Sequence, residues 1–150
     1  MNPQKKKNLK IKRETADRIL REMVKTAGKI NSSPKTQFMY FVSKVVVFGS
    51  YLTKKESLGD IDVAIEIERR WKTEEEYNRL LPAVCGRKQL GLSCVIYPYQ
   101  KILSTLRNRS KSVSFHPMFE IVQEKYPHKI IFERSFETEP DFTNLPAGTE

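Results

Sequence analysis

Apolar residues recur at helical spacing near the start of the chain. Between residues 14 and 30 they fall on one face of a helix that Thr15 is positioned to cap. This face contains Ile19, Leu20, Met23, Val24 and Ala27. A helix with one apolar face needs a surface to cover, so we expect it to pack on a sheet. A branched and aromatic run predicts a buried strand near residues 45–48, which Gly49-Ser50 ends.

The chain then returns to a strand with a strictly alternating pattern. Residues 50–57 predict a short helical turn, Gly59 permits a sharp re-entry, and the segment DIDVAIEIE alternates polar and apolar side chains. In an extended strand this alternation places Asp60 and Asp62 on one face. The opposite face, which we expect to belong to the core, carries Ile61, Val63 and Ile65.

The second half of the chain alternates between predicted helices and strands. Thr73, with Glu76 three residues later, is a capping box that predicts a helix to about Leu81, which Pro82 ends or kinks. The other predicted elements are a third strand at 92–99 (LSCVIYPY), a basic amphipathic helix at 100–110, a short strand at 112–115, a helix at 116–126 and a last strand at 128–133.

Length and local charge divide the chain into one domain and two tails. At 150 residues it is long enough for a single domain with a core of its own. Residues 1–13 contain six lysines and arginines and predict a basic flexible tail. Residues 135–150 contain four acids and two prolines and predict an acidic flexible tail. The domain is therefore expected at 14–134.

The net charge of +9 favours polyanionic partners such as nucleotides or nucleic acid. A basic RNA-binding protein is therefore one hypothesis. This hypothesis is based on the basic positions that follow the predicted third strand. A solvated helix face is the alternative explanation for them. These positions are Lys101, Arg107, Arg109 and Lys111.

The sequence also predicts a compartment. No apolar run approaches the ~20 residues that a membrane span needs, and no apolar segment follows the basic N-terminus as it would in a signal peptide. We expect a cytoplasmic protein without a membrane partner. Cys85 and Cys94 lie in segments with regular patterns, which predicts buried reduced thiols rather than a disulfide or a zinc site.

The two aspartates and the glycine-serine pair suggest phosphate chemistry. Asp60 and Asp62 lie about 6.5 to 7 Å apart along a strand, so their carboxylates are able to converge on one metal ion. Gly49 and Ser50 follow a strand end and expose backbone N–H groups, and such a turn is able to cradle phosphate oxygens. Ion pairs with arginine or lysine are the structural alternative for the two acids.

Phe48-Gly49-Ser50, nine residues and then Asp60-Ile61-Asp62-Val63 resembles the signature of the DNA polymerase beta-type nucleotidyltransferase superfamily. The resemblance is strongest to the small bacterial minimal nucleotidyltransferases and covers roughly residues 40–100. It implies an α+β fold with a mixed β-sheet flanked by helices. It also implies two Mg²⁺ ions, which Mn²⁺ is able to replace, and transfer of a nucleoside monophosphate from a nucleoside triphosphate to a hydroxyl of a protein, an RNA or a small molecule.

The resemblance implies a role for each matching residue. Asp60 and Asp62 are implied as catalytic metal ligands, and Gly49 with Ser50 as the triphosphate site. Lys54 or Lys55 is the candidate for a further phosphate contact, with a solvated loop lysine as the alternative for either one.

One expected residue of the family is missing. Active members supply a third carboxylate from a neighbouring strand, and the predicted strand at 92–99 contains no acid. Glu66 lies ~13 Å from Asp60 along the strand, so we assign it to the surface. His116 is either a general base or a structural residue, since the sequence identifies no partner for it. Besides the enzyme, a catalytically silent, antitoxin-like interaction module with a protein partner therefore stays open.

Overall fold

The computed structural model describes residues 10–86 and 91–134. The helices in these ranges are α1 (Arg13–Ser32), α2 (Glu74–Cys85), α3 (Leu92–Arg107) and α4 (Met118–Glu124), with a short 3₁₀ helix at Gly49–Leu52. The strands are β1 (Ile11–Lys12), β2 (Tyr40–Phe48), β3 (Ser57–Leu58), β4 (Ile61–Arg69), β5 (Val113–Pro117) and β6 (His128–Glu133). No helix within the described ranges has the length and apolar character to cross a membrane.

The main sheet is mixed and has the strand order β5-β4-β2-β6. Strand β4 is parallel to β5 and antiparallel to β2, and β2 is antiparallel to β6. The short strands β1 and β3 pair separately as an antiparallel ribbon. The predicted α+β class, with a mixed sheet and helices in one domain, is confirmed.

One face of the sheet packs against α1 and α3 and forms the main core. Ile61, Val63 and Ile65 lie on this face of β4, which confirms the prediction from their alternation. From α1, Leu20 and Met23 pack against them. The remaining members include Ala27, Ile30, Val45, Val47, Ile102, Leu106 and Val113. Each large side chain buried here contributes about 1.5–3 kcal/mol to the free energy of unfolding.

The other face of the sheet is covered only in part, by the short helix α4. Val46, Phe48 and Ala64 form a second small cluster there with Ile121 of α4. Because side chains alternate along a strand, Asp62 lies on the same face of β4 as Ala64. Asp62 therefore lies on the side of the sheet that is covered only in part.

The prediction of a third strand at residues 92–99 is wrong. These residues form the first half of α3, and the predicted strand and helix are one helix of 16 residues. Val95 and Ile96 lie on its surface, about half exposed, while Ile102 and Leu106 are buried in the core. A short apolar run fits a helix or a strand equally well by periodicity, so packing of the amphipathic helix decided the outcome.

The prediction of reduced thiols is also wrong. Cys85, the last residue of α2, forms a disulfide with Cys94 in the first turn of α3. Because residues 92–99 are helical, Cys94 lies beside the end of α2 instead of in a strand. The disulfide therefore ties the two helices together at their junction.

Helix termini were predicted with mixed success. The capping box at α2 is confirmed, since the Thr73 side chain accepts a hydrogen bond from the Glu76 N–H at 3.1 Å. Pro82 does not end this helix, which continues to Cys85. Thr15 does not cap α1, because that helix begins two residues earlier, at Arg13.

The boundary of the folded chain lies earlier than residue 14. Ile11 and Lys12 form β1, and Arg13 opens α1, so these residues belong to the folded chain rather than to the predicted basic tail. Residues 1–9 of that tail, and the predicted acidic tail, 135–150, lie outside the described residues.

Candidate functional site

Gly49 and Asp62 meet at one corner of the sheet. Phe48, the last residue of β2, pairs with Asp62 near the start of β4, so the next residue, Gly49, lies beside the aspartate. Gly49 has φ +75°, a left-handed conformation that favours glycine. A methyl group added to Gly49 would lie 3.3 Å from Cγ of Asp62 and would overlap its Oδ2. The two halves of the motif are therefore in direct contact.

The two aspartates have different surroundings. Asp60 lies just before β4 and is exposed, and its side chain makes no hydrogen bond or ion pair with any residue that the structure describes. The Asp62 side chain is 29% exposed, and its Oδ1 lies 3.0 Å from Nε2 of His116. Neither carboxylate is neutralised by an arginine or lysine among the described residues. Ion pairing with such a residue, the structural alternative for these acids, is not observed.

His116 has the partners that the sequence did not reveal. Its Nε2 lies 3.0 Å from the Asp62 carboxylate and 3.3 Å from the Ser114 hydroxyl. Its Nδ1 lies 3.5 Å from Oε1 of Glu120. Since a carboxylate oxygen accepts, the Nε2–H of His116 donates to Asp62. The imidazole thus lies between two carboxylates, and the four-residue spacing of His116 and Glu120 was the available sequence signal.

The strand that runs parallel to β4 is β5, and it carries no acid. Parallel pairing sets Ser114 opposite Asp62 and His116 opposite Ala64. The third carboxylate that the family resemblance leads one to expect on a neighbouring strand is therefore replaced by a hydroxyl and an imidazole. Glu120 reaches this group from α4. Glu66 lies further along β4 and accepts a hydrogen bond from Ser43, at 3.0 Å.

A cavity of about 350 Å³ opens beside this corner. Its polar wall is formed by Asp62, His116 and Glu120. Its apolar wall includes Phe48 and Tyr126, whose rings stack with centroids 5.7 Å apart. Gly49, Leu52 and Pro127 complete the lining. A cavity of this volume, with an apolar wall and a few convergent polar groups, is typical of small-molecule sites.

Arg13 holds the loop that follows Gly49-Ser50. Its guanidinium donates to three backbone carbonyls of this loop, those of Tyr51 (2.9 Å), Thr53 and Lys55 (3.0 Å). The backbone N–H of Arg13 donates to the carbonyl of Glu56 at 3.0 Å. The start of α1 therefore fixes the connection between the two halves of the motif.

Tyr51 adds a second anchor between this loop and α1. Its hydroxyl donates a hydrogen bond to the Asp17 carboxylate. Burial, and then this hydrogen bond, raise the pKa of Tyr51 above its ordinary value. Lys54 and Lys55 extend from the same loop into solvent, and neither ammonium group pairs with a described carboxylate.

Within the described ranges, no group of three or more histidine, cysteine, aspartate or glutamate residues is arranged to hold a metal ion. Comparison of the chain with known proteins adds nothing to this: no protein-family model, no curated protein and no solved structure matches it. A function for the site therefore has to be argued from its own residues.

Proposed function

We propose that the chain is a metal-dependent nucleotidyltransferase that binds a nucleoside triphosphate at the corner between Gly49-Ser50 and Asp60-Asp62. The observation that carries this proposal is the direct contact of Gly49 with the Asp62 carboxylate beside a cavity of ligand size. In the proposed reaction an acceptor hydroxyl oxygen bonds to the α-phosphorus, the bond to pyrophosphate breaks, and the hydroxyl proton passes to solvent.

The residues present fit Mg²⁺ bound together with a substrate. Mg²⁺ commonly keeps several waters and takes one or two carboxylates plus substrate phosphates, so a dedicated cage of protein ligands is not required. Asp60, exposed and without a described partner, and Asp62 would supply those carboxylates. When bound, such ions lower the pKa of the acceptor hydroxyl and neutralise charge on the triphosphate.

Other residues of the chain orient these groups. The Nε2–H of His116 holds one oxygen of Asp62, which sets the direction of the carboxylate. Because Gly49 has no side chain, the Asp62 carboxylate lies against the Gly49-Ser50 turn, so an ion held by Asp62 would lie beside the proposed triphosphate site. Lys54 offers a positive charge from the loop that Arg13 holds in place. The stacked rings of Phe48 and Tyr126 offer an apolar wall for a base.

Isothermal titration with ATP, CTP, GTP and UTP, with and without Mg²⁺, tests the proposal. We expect Mg²⁺-dependent binding of at least one triphosphate that the double variant Asp60→Asn/Asp62→Asn loses. The matched control, Glu75→Gln/Glu124→Gln, removes the same charge from two exposed acids elsewhere and should bind as the parent does. Binding that needs no metal and survives the aspartate substitutions would disprove the site.

A catalytically silent interaction module is the second candidate. Two observations favour it: β5 carries Ser114 and His116 in place of an acid, and α4 exposes Phe119 (67%) and Val122 (71%). Exposed apolar side chains of this size are common in protein interfaces. Incubation with labelled triphosphates and total cellular RNA and protein separates the candidates, since transfer of label requires the enzyme.

A further inference from the structure

A second cavity, of about 260 Å³, lies between α1 and the turn that follows α3. We call it the arginine groove, because Arg18, Arg107 and Arg109 line it. Glu22 is the acid among its lining residues, and its carboxylate lies 3.6 Å from the Lys25 ammonium. The groove therefore carries a net positive charge.

Two of the three arginines are available to a ligand. Arg18 and Arg109 are exposed, and neither guanidinium pairs with a carboxylate that the structure describes. Arg107 is already engaged, since it donates to the Val113 carbonyl and lies 4.9 Å from the centroid of the Phe115 ring. Three guanidinium groups gathered with so little opposite charge repel one another, so a bound anion stabilises them.

The turn that carries Arg109 has a defined shape. Asn108 and Arg109 adopt left-handed conformations, with φ +49° and +67°. The Ser110 N–H closes the turn on the Arg107 carbonyl at 2.9 Å. Arg109 is therefore presented from a hydrogen-bonded turn rather than from an open loop.

This turn leads directly to the proposed catalytic corner. The carbonyl of Ser112, three residues after Arg109, accepts a hydrogen bond from the Ile61 N–H at 2.7 Å. Ile61 lies between Asp60 and Asp62 in sequence and pairs with Val113. The turn of the groove therefore continues into β5, the strand that pairs with the segment carrying the two aspartates.

We propose that the arginine groove binds the phosphate backbone of a nucleic-acid strand. Guanidinium groups match phosphate oxygens in a bidentate manner, and the net charge of +9 attracts a polyanion from a distance. A nucleic-acid strand also ends in a hydroxyl group. That strand is the acceptor if the chain is the nucleotidyltransferase proposed above.

Fluorescence anisotropy with a labelled single strand of about 12 nucleotides tests the groove without triphosphate or Mg²⁺. RNA and DNA of one sequence serve as separate probes. We expect Arg18→Gln/Arg109→Asn to weaken binding about tenfold. We also expect the magnitude of the slope of log K against log salt to decrease by about 1.4, because each lost phosphate contact accounts for ~0.7. Asparagine at residue 109 tolerates the left-handed backbone.

The control variant Lys29→Gln/Arg79→Gln removes two positive charges from exposed positions outside the groove. We expect it to bind within about twofold of the parent, because screened surface charges act weakly at a distance. An equal loss in both variants, or equally tight binding of poly-glutamate through the groove, would overturn the proposal. Thermal unfolding of each variant shows that the fold is retained.

Label-transfer assays keep this inference separate from the proposed function. If RNA binds in the groove and no label is transferred to any acceptor, the nucleotidyltransferase proposal is wrong and the proposal that the groove binds nucleic acid is supported. If label is transferred to protein and the groove variants transfer it normally, the proposed enzyme activity is supported. The proposal that the groove binds the acceptor is then wrong. For an RNA acceptor, we expect Arg18→Gln/Arg109→Asn to raise KM for the RNA with little change in kcat.

Discussion

Gly49 leaves open the space that the carboxylate of Asp62 fills. The left-handed backbone of Gly49 and the missing side chain are both needed for this arrangement, since a Cβ atom would overlap Oδ2 of the aspartate. The contact joins the end of β2 to the start of β4 on the thinly covered face of the sheet. A small substitution at Gly49 is therefore expected to disturb this corner of the sheet.

Gly49→Ala should lower the free energy of unfolding by about 1–3 kcal/mol, because alanine is strained at this φ and displaces Asp62. Gly59→Ala is the matched control, since a methyl group there meets no atom within 4 Å. Chemical denaturation of both variants measures the difference. Equal stabilities would contradict the close approach.

His116→Gln should weaken the proposed binding of Mg²⁺ and triphosphate by about 2- to 10-fold, because Asp62 loses the hydrogen bond that orients it. Titration calorimetry measures the affinity. Since His116 acts through Asp62, it should have no further effect in an Asp62→Asn background. An undiminished effect there would show that His116 contacts the ligand itself.

Arg13→Lys should loosen the loop after Gly49-Ser50. A lysine ammonium cannot reach the carbonyls of Tyr51, Thr53 and Lys55 together, and we expect a loss of about 1–2 kcal/mol. Hydrogen exchange should accelerate for the amides of residues 50–56. Arg21→Lys on the exposed side of α1 provides the control, and equal exchange in the two variants would exclude the role of Arg13.

Glu76 should make stability depend on pH in the acid range. The hydrogen bond from Lys35, and then that from the Lys72 N–H, lower the pKa of Glu76 below its usual value of 4.5. The stabilisation is therefore complete above that value and is lost as pH falls through the lower pKa of the folded state. The stability difference between the parent and Glu76→Gln should shrink in this range. Glu75→Gln, without such partners among the described residues, should show no comparable trend.

Removal of the disulfide should destabilise the junction of α2 and α3. Cys85 and Cys94 are separated by nine positions, and closing a loop of this length contributes about 2–3 kcal/mol by limiting the unfolded chain. We expect Cys85→Ser/Cys94→Ser to show this loss in denaturation experiments. Reductant should lower the stability of the parent to a similar level and leave the variant unchanged. A parent that is insensitive to reductant would contradict the disulfide.

Local pattern alone predicted most of the elements. The alternation of DIDVAIEIE identified the buried face of β4, and Thr73 with Glu76 identified the start of α2, because both signals lie within a few residues of chain. Residues 92–99 were misassigned, since a short apolar run carries no decisive period. The expected third carboxylate was therefore assigned to a segment that is helical rather than to a strand of the sheet.

The motif of Gly49-Ser50 with Asp60 and Asp62 was visible in the sequence by itself, together with the face on which its neighbours are buried. Only the tertiary structure decided that β5 pairs in parallel with β4, that His116 lies between Asp62 and Glu120, and that Arg13 holds the loop of the motif. The physical reason is the separation in sequence between the residues that interact. Patterns within a few residues follow from backbone geometry, whereas contacts between residues 38 to 54 positions apart depend on how the whole sheet and its helices pack.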